Sequence, residues 1–190
     1  MRPASTNNPN QLSNSSRQPK LLILLLTAAA CCLPAAVRAQ TLQFANQSFV
    51  LLGKTSDAEK IENDYLPTGQ TEADWSERLL LIRFPNAKDV KAFADNLCLA
   101  VNTQRPGAGA AVSQYGSDCY VAYAVTSSTT KGQLTMVHRI LIDPQGGVRT
   151  YVFAQRPSIS RGPSEQAPMD RDQCIRALGR LSPITQLIHD

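Results

Sequence analysis

The stretch that most constrains this chain runs over residues 77–104. An apolar run, Leu79-Leu80-Leu81-Ile82, closes on Phe84-Pro85 and is followed at once by a helical pattern. Val90, Phe93, Ala94, Leu97 and Val101 recur at steps of three and four, which places them on one face of a helix. Asn86 is the predicted N-cap, with Asp89 three positions on favouring the positive end of the helix. A strand followed by a helix that must bury a stripe needs further sheet to bury it against.

The rest of the chain supplies strand candidates. Residues 48–52 are a short apolar run, and residues 60–66 alternate, with Ile61 and Tyr65 between charged neighbours, which predicts a hairpin. Thr71-Glu72-Ala73-Asp74 resembles a capping box with Asp in place of Glu and predicts one helical turn carrying Trp75. After the helix, residues 110–114, 119–126, 134–142 and 148–154 are four strand candidates. Tyr115-Gly116-Ser117, a polar loop at 127–132 and Pro144-Gln145-Gly146-Gly147 separate them. Connections this short force antiparallel neighbours, so the four should form a meander. Residues 156–168 hold three prolines and little apolar surface and predict a linker or mobile loop. Asp170 should cap a last helix in which Cys174, Ala177, Leu178 and Leu181 share a face, with Pro183 ending it. The expected fold is α+β: an antiparallel sheet of about six or seven strands with two helices packed on one face.

The first 39 residues do not belong to that fold. A polar, basic stretch with Arg2, Arg17 and Lys20 precedes an apolar core from Leu21 to Leu33, and Val37-Arg38-Ala39 offers a cleavage site. This predicts a secretory signal peptide over 1–39, removed to leave a single domain from 40 to 190 that starts at Gln40. The apolar run is too short for a spanning helix, which needs about 20 residues. A lipoprotein anchored through Cys31 is the alternative. Arg2, Arg17, Lys20 and Arg38 account for the whole net charge of +4, because all 15 acidic residues lie beyond position 39. The mature chain is therefore neutral, and nothing points to nucleic acid as a partner or to a membrane span after cleavage. The predicted location is periplasmic or secreted.

Three cysteines, Cys98, Cys119 and Cys174, remain after cleavage in an oxidising compartment, enough for one disulfide and one free thiol. Cys174 lies at the centre of its helix stripe, Cys119 shares a strand face with Val121 and Val125, and Cys98 lies about 80° off the middle of its own stripe. A Cys119–Cys174 disulfide is the predicted pairing; three buried thiols packing as small hydrophobes are the alternative. There is no C-x-x-C, H-E-x-x-H or G-x-S-x-G, so neither a metal site nor a cofactor is indicated. His138 is the one histidine that a nucleophilic mechanism could use, with Cys98 as its thiol, but its strand face also holds Leu134, Met136, Ile140 and Ile142. Asp57, Glu59, Glu62 and Asp64 form an acidic edge that suits calcium or hydrolysis on paper and the solvent face of a hairpin more simply.

The most individual stretch is Tyr65-Leu66-Pro67-Thr68-Gly69-Gln70-Thr71, with Trp75 four residues on. It resembles a segment of small exported bacterial proteins of uncharacterised function, over about a dozen residues, and the resemblance implies no activity. Pro67 and Gly69 fix a turn, and the only Trp of the chain follows it. Trp75 either plugs one end of the core or, with Tyr65, presents an aromatic edge to an envelope or secreted protein, a peptide or a glycan. The expected function is a non-enzymatic binding or interaction module of the periplasm or cell envelope, such as an inhibitor, an immunity-type protein or an assembly accessory. A small hydrolase or thiol enzyme built on His138 and Cys98, and a structural envelope protein without a ligand, are the alternatives.

Overall fold

Eight strands and two helices alternate between long-range pairing and short turns in the computed structural model, which describes residues 40–126, 132–156 and 168–182. The predicted signal peptide over 1–39, most of the predicted polar loop (127–131), the segment 157–167 and Pro183 lie outside the described residues. The described residues belong to one compact unit, Ala39–Asp190. In chain order the elements are β1 (Thr41–Phe44), β2 (Gln47–Ser56), β3 (Ile61–Pro67), β4 (Glu77–Phe84), α1 (Val90–Gln104), β5 (Ala111–Tyr115), β6 (Asp118–Thr126), β7 (Gln133–Ile142), β8 (Val148–Gln155) and α2 (Arg171–Arg180).

The strands form one antiparallel sheet in the order β1-β2-β3-β4-β8-β7-β6-β5. It is two four-stranded meanders joined along β4 and β8, whose register runs from Glu77 opposite Gln155 to Phe84 opposite Val148. The α+β class and the second meander agree with the sequence. The sheet has eight strands rather than six or seven because the first hairpin was not recognisable. Its two-residue loop is Ala45-Asn46, both at positive φ (49° and 66°), without the glycine that usually marks such a turn.

The two helices pack on opposite faces of the sheet, which corrects the expectation that they share one. Val90 and Ala94 of α1 pack with Cys119, Val121, Ile140 and Val148. Cys174, Ile175 and Leu178 of α2 pack with Tyr120, Ala122, Val137, Leu141 and Tyr151. Successive strand residues point to opposite faces, so each strand of the β6–β8 region feeds both cores. This is why β8 is buried along its whole length.

On the α2 side the sheet curls. Phe44 in edge strand β1 meets Phe49 at 5.8 Å and Phe153 in β8 at 5.1 Å between ring centroids. Four strand spacings separate β1 from β8, roughly 19 Å in a flat sheet. The contact therefore requires the sheet to wrap towards α2.

Buried charge occupies the same side. Arg149, wholly buried, pairs with buried Asp143 through Nε and a terminal nitrogen, both at 2.8 Å. The other Asp143 oxygen accepts from the N–H of Gln145 at 2.7 Å. That carboxylate thus fastens the β7–β8 turn to β8. Gly147 in this turn has φ +96°, and a Cβ there would lie 2.4 Å from the carbonyl oxygen of Phe84, so only glycine lets the turn approach the end of β4.

Local signals are also revised. Asp89, not Asn86, caps α1, accepting from the N–H of Ala92 at 2.9 Å. Asn86 instead donates to the carbonyl of Ala58 at 3.3 Å. Residues 72–74 make a plain turn rather than a helical one. Asp170 caps α2 as expected, in a full capping box with Gln173.

Candidate functional site

The connection between β3 and β4 is built to hold Trp75. Pro67 closes β3, and Gly69 at φ +89° turns the chain. Thr68 donates from its N–H to the carbonyl of Ser48 at 2.8 Å. The Gln70 side chain clasps Ser76, accepting from its N–H at 2.8 Å and donating to its hydroxyl at 2.9 Å. Asp74 accepts from both the N–H (2.7 Å) and the hydroxyl (2.5 Å) of Thr71. Those two bonds, the hydroxyl's first, hold the Asp74 carboxyl below its usual range.

Two arginines flank the indole of half-buried Trp75. The guanidinium of Arg156 lies 4.4 Å from the ring centroid, and that of Arg78 lies 5.8 Å away. Arg156 also donates to the carbonyls of Trp75 and, at 2.9 Å, of Ala73. Arg78 grips Asp64 through two bonds, the Nε one at 2.8 Å, and the hydrogen bond to Asp64 raises its pKa further. Each guanidinium is thus held by oxygen atoms before it stacks, so the platform is rigid without a ligand.

A cleft of about 280 Å³ lies against the start of α2, lined by Ala108, Tyr123, Thr135, Met169, Asp170 and Arg171. Cleft and platform sit at the same end of the sheet. Gln155 of β8 pairs with Glu77 of β4 on one side and with Thr135 of β7 on the other. Its side-chain amide donates to the Glu77 carboxylate at 3.3 Å.

Tyr65 is not part of this surface. It is fully buried in the core with Leu79, Leu81 and Phe153, because its strand position points to the concave face. Of the two aromatic residues singled out in the sequence, only Trp75 reaches the candidate site. Arg78, Arg156 and the cleft residues carry no local sequence signal, since they come from β4, the residue after β8, β6, β7 and the start of α2.

The chemistry-bearing residues have other partners. His138 is buried, and its Nε2 lies 3.2 Å from the hydroxyl of Tyr123, with the two rings stacked at 5.6 Å. Burial pushes the imidazole pKa down to about 4, and burial likewise raises that of the Tyr123 phenol. The Cys98 thiol donates to the carbonyl of Ala110 at 3.3 Å. The imidazole and the thiol are thus engaged with different partners. Three of the four carboxylates of the acidic edge are also occupied. Asp57 accepts from the N–H groups of Glu59 and Lys60, Glu62 pairs with Lys60 at 2.6 Å, and Asp64 holds Arg78. Among the described residues no group of three or more such side chains could hold a metal ion.

Cys98, Cys119 and Cys174 are all free thiols. Cys119 faces α1 and Cys174 faces the opposite core, so the sheet itself stands between them and the predicted disulfide cannot form. Burial raises the pKa of both, that of Cys174 up to about 12.

These features define an α+β protein, a curled antiparallel sheet with one helix on each face and a stacked aromatic platform at one end. Compared with known protein families, curated proteins and solved structures, the chain matches none. Among the described residues no helix is long and apolar enough to cross a membrane.

Proposed function

We propose that this is an exported, non-enzymatic binding module of the periplasm or cell envelope, which recognises a partner protein or peptide at the end of the sheet that carries Trp75. One observation carries the reading: a half-exposed indole is stacked by two anchored guanidiniums at the end of the sheet that also holds a cleft of side-chain size. Trp, Tyr and Arg dominate the energetics of protein interfaces, and a platform that is already ordered loses little entropy on binding. The cleft accepts one side chain of a partner whose backbone crosses the Gln155 row. A glycan stacked on the indole uses the same platform with less of the cleft.

A photo-crosslinking residue in place of exposed Glu72 tests this in intact envelopes. It should yield a discrete adduct that Trp75→Ala abolishes, whereas the same residue in place of exposed Leu99 on α1 should not. An identical adduct from position 99, or one indifferent to Trp75→Ala, would overturn the site. Export rests on the leader alone. Protein isolated from the envelope should begin at Gln40; retention of Met1, or lipid on Cys31, would remove cleavage at Ala39 from the reading.

A further inference from the structure

We infer that β5 is a pairing edge for a second copy of this chain, joined antiparallel across a two-fold axis at Ser113. Edge strands expose unpaired N–H and C=O groups, and proteins that stay monomeric blunt them with charge, proline or bulges. At the other edge β1 has only four residues, and the part of β2 that extends beyond it is blunted in this way. Where β2 runs on past β1 it carries Lys54 and a register irregularity between Leu51 and Gly53. The overhang of β6 beyond β5 is covered in part, since the N–H of Ala124 donates to the carbonyl of Ala108 at 3.0 Å.

β5 has none of these devices. Its sequence is Ala-Val-Ser-Gln-Tyr, uncharged and without proline, and it pairs with β6 in unbroken register. Among the described residues no strand lies on its outer side. Asn102 of α1 fixes where it begins, its side chain bonding both the N–H and the carbonyl of Ala110 at 3.0 Å.

Two observations select a second copy as the occupant. The first is Ser113, the middle residue of the strand. Its hydroxyl is shut off from solvent and has no hydrogen-bond partner among the described residues. A two-fold axis there sets it opposite its own equivalent, where rotation about χ1 lets the two hydroxyls bond each other. The same register places Tyr115, 58% exposed, against the small Ala111 of the other copy.

The second is charge. Lys91, Asp95, Cys98 and Asn102 form one stripe of α1, and its last two members reach Ala110, so the stripe faces the β5 edge. Lys91 and Asp95 are exposed, paired at 2.6 Å, and close enough to Cys119, the partner of Gln114, to influence its thiol. Across the axis the Lys91 of one copy approaches the Asp95 of the other. The edge is therefore complementary to itself in both hydrogen bonding and charge.

Sedimentation equilibrium of the isolated protein should show a monomer–dimer equilibrium. Ser113→Lys and Ser113→Glu should each be monomeric, and an equimolar mixture of the two should regain the dimer. Hydrogen exchange of the unaltered protein is the companion measurement. Amides of β5 should lose protection on dilution while those of β6 and β7 keep theirs, a result that does not depend on either variant folding. A protein that is monomeric at every concentration, a dimer that persists in Ser113→Lys, or β5 protection independent of concentration would each overturn the proposal.

Discussion

His138 shows how far one residue's surroundings decide its chemistry. A histidine in a strand can be a base, a ligand or a core residue, and the ring of Tyr123 stacked on it at 5.6 Å makes it the last. Its pKa is lowered from 6.5 to about 4 by burial. The unfolded chain therefore binds a proton between these values that the folded protein does not, so stability rises with pH across this window and falls as pH drops from 6.5 towards 4. Below pH 4 both states carry the proton and the loss from this group is complete. The shift corresponds to about 3 kcal/mol. Urea denaturation between pH 7 and pH 4 should show this slope in the natural protein. His138→Gln, which cannot charge, should show a shallower one. Equal slopes would mean that the imidazole is not buried in solution. The buried Asp143–Arg149 pair belongs to the same scale, but no pattern around either residue announces it. Strand periodicity assigns Arg149 a face and says nothing of the carboxylate that meets it.

At the scale of elements, α2 is the informative case. Its stripe of Cys174, Leu178 and Leu181 and its N-cap, Asp170, were both legible, because helix periodicity and capping are local properties. What secures its far end is not local. Arg139 of β7 donates to the carbonyls of Leu178 (2.8 Å) and Leu181 (2.7 Å), and its Nε bonds Asp118 at 2.8 Å. A guanidinium thus satisfies two carbonyls at the helix C-terminus, where the macrodipole favours a cation. Replacing Arg139 with Met keeps much of the apolar stem but takes this donor from both carbonyls, leaving that of Leu178 with the N–H of Leu181 alone. The cost should be about 2–4 kcal/mol, of the size expected for losing charged hydrogen bonds and stranding their partners. Hydrogen exchange should show α2 loosening before β7 or β8. Uniform loss of protection would mean that Arg139 supports the sheet rather than the helix.

For the whole molecule, the decisive fact is that each face of the sheet has its own helix and its own core. It follows that no disulfide fastens α2 to β6. In the oxidised protein the thiols of Cys98, Cys119 and Cys174 should all be alkylatable after denaturation, and a reducing agent should leave the melting temperature unchanged. In the native state Cys174 should react slowest, because burial holds its thiol protonated up to about 12. A non-reduced peptide joining Cys119 to Cys174 would require the two helices to share a face, contrary to the packing of both cores.

Read alone, the sequence determined the α+β class, the four-strand meander, both helices and the turn at Pro67 and Gly69. Each of these is written in short-range terms: alternation, three-and-four spacing, a capping residue, a proline or a glycine. The tertiary structure decided the rest. An antiparallel strand offers two faces, and periodicity tells which residues share a face but not which helix covers it. Cys119 and Cys174 were therefore both read correctly as interface residues and wrongly as neighbours. Tyr65 alternates like a surface aromatic among charged residues, yet the curl that brings Phe44 to Phe153 encloses its face. Trp75 gained its flanking guanidiniums only when the end of β8 came to lie beside the start of β4, bringing in Arg156, 81 positions away along the chain. Local periodicity carries no term for such a meeting, because long-range pairing and sheet curvature depend on how the whole chain buries its apolar surface.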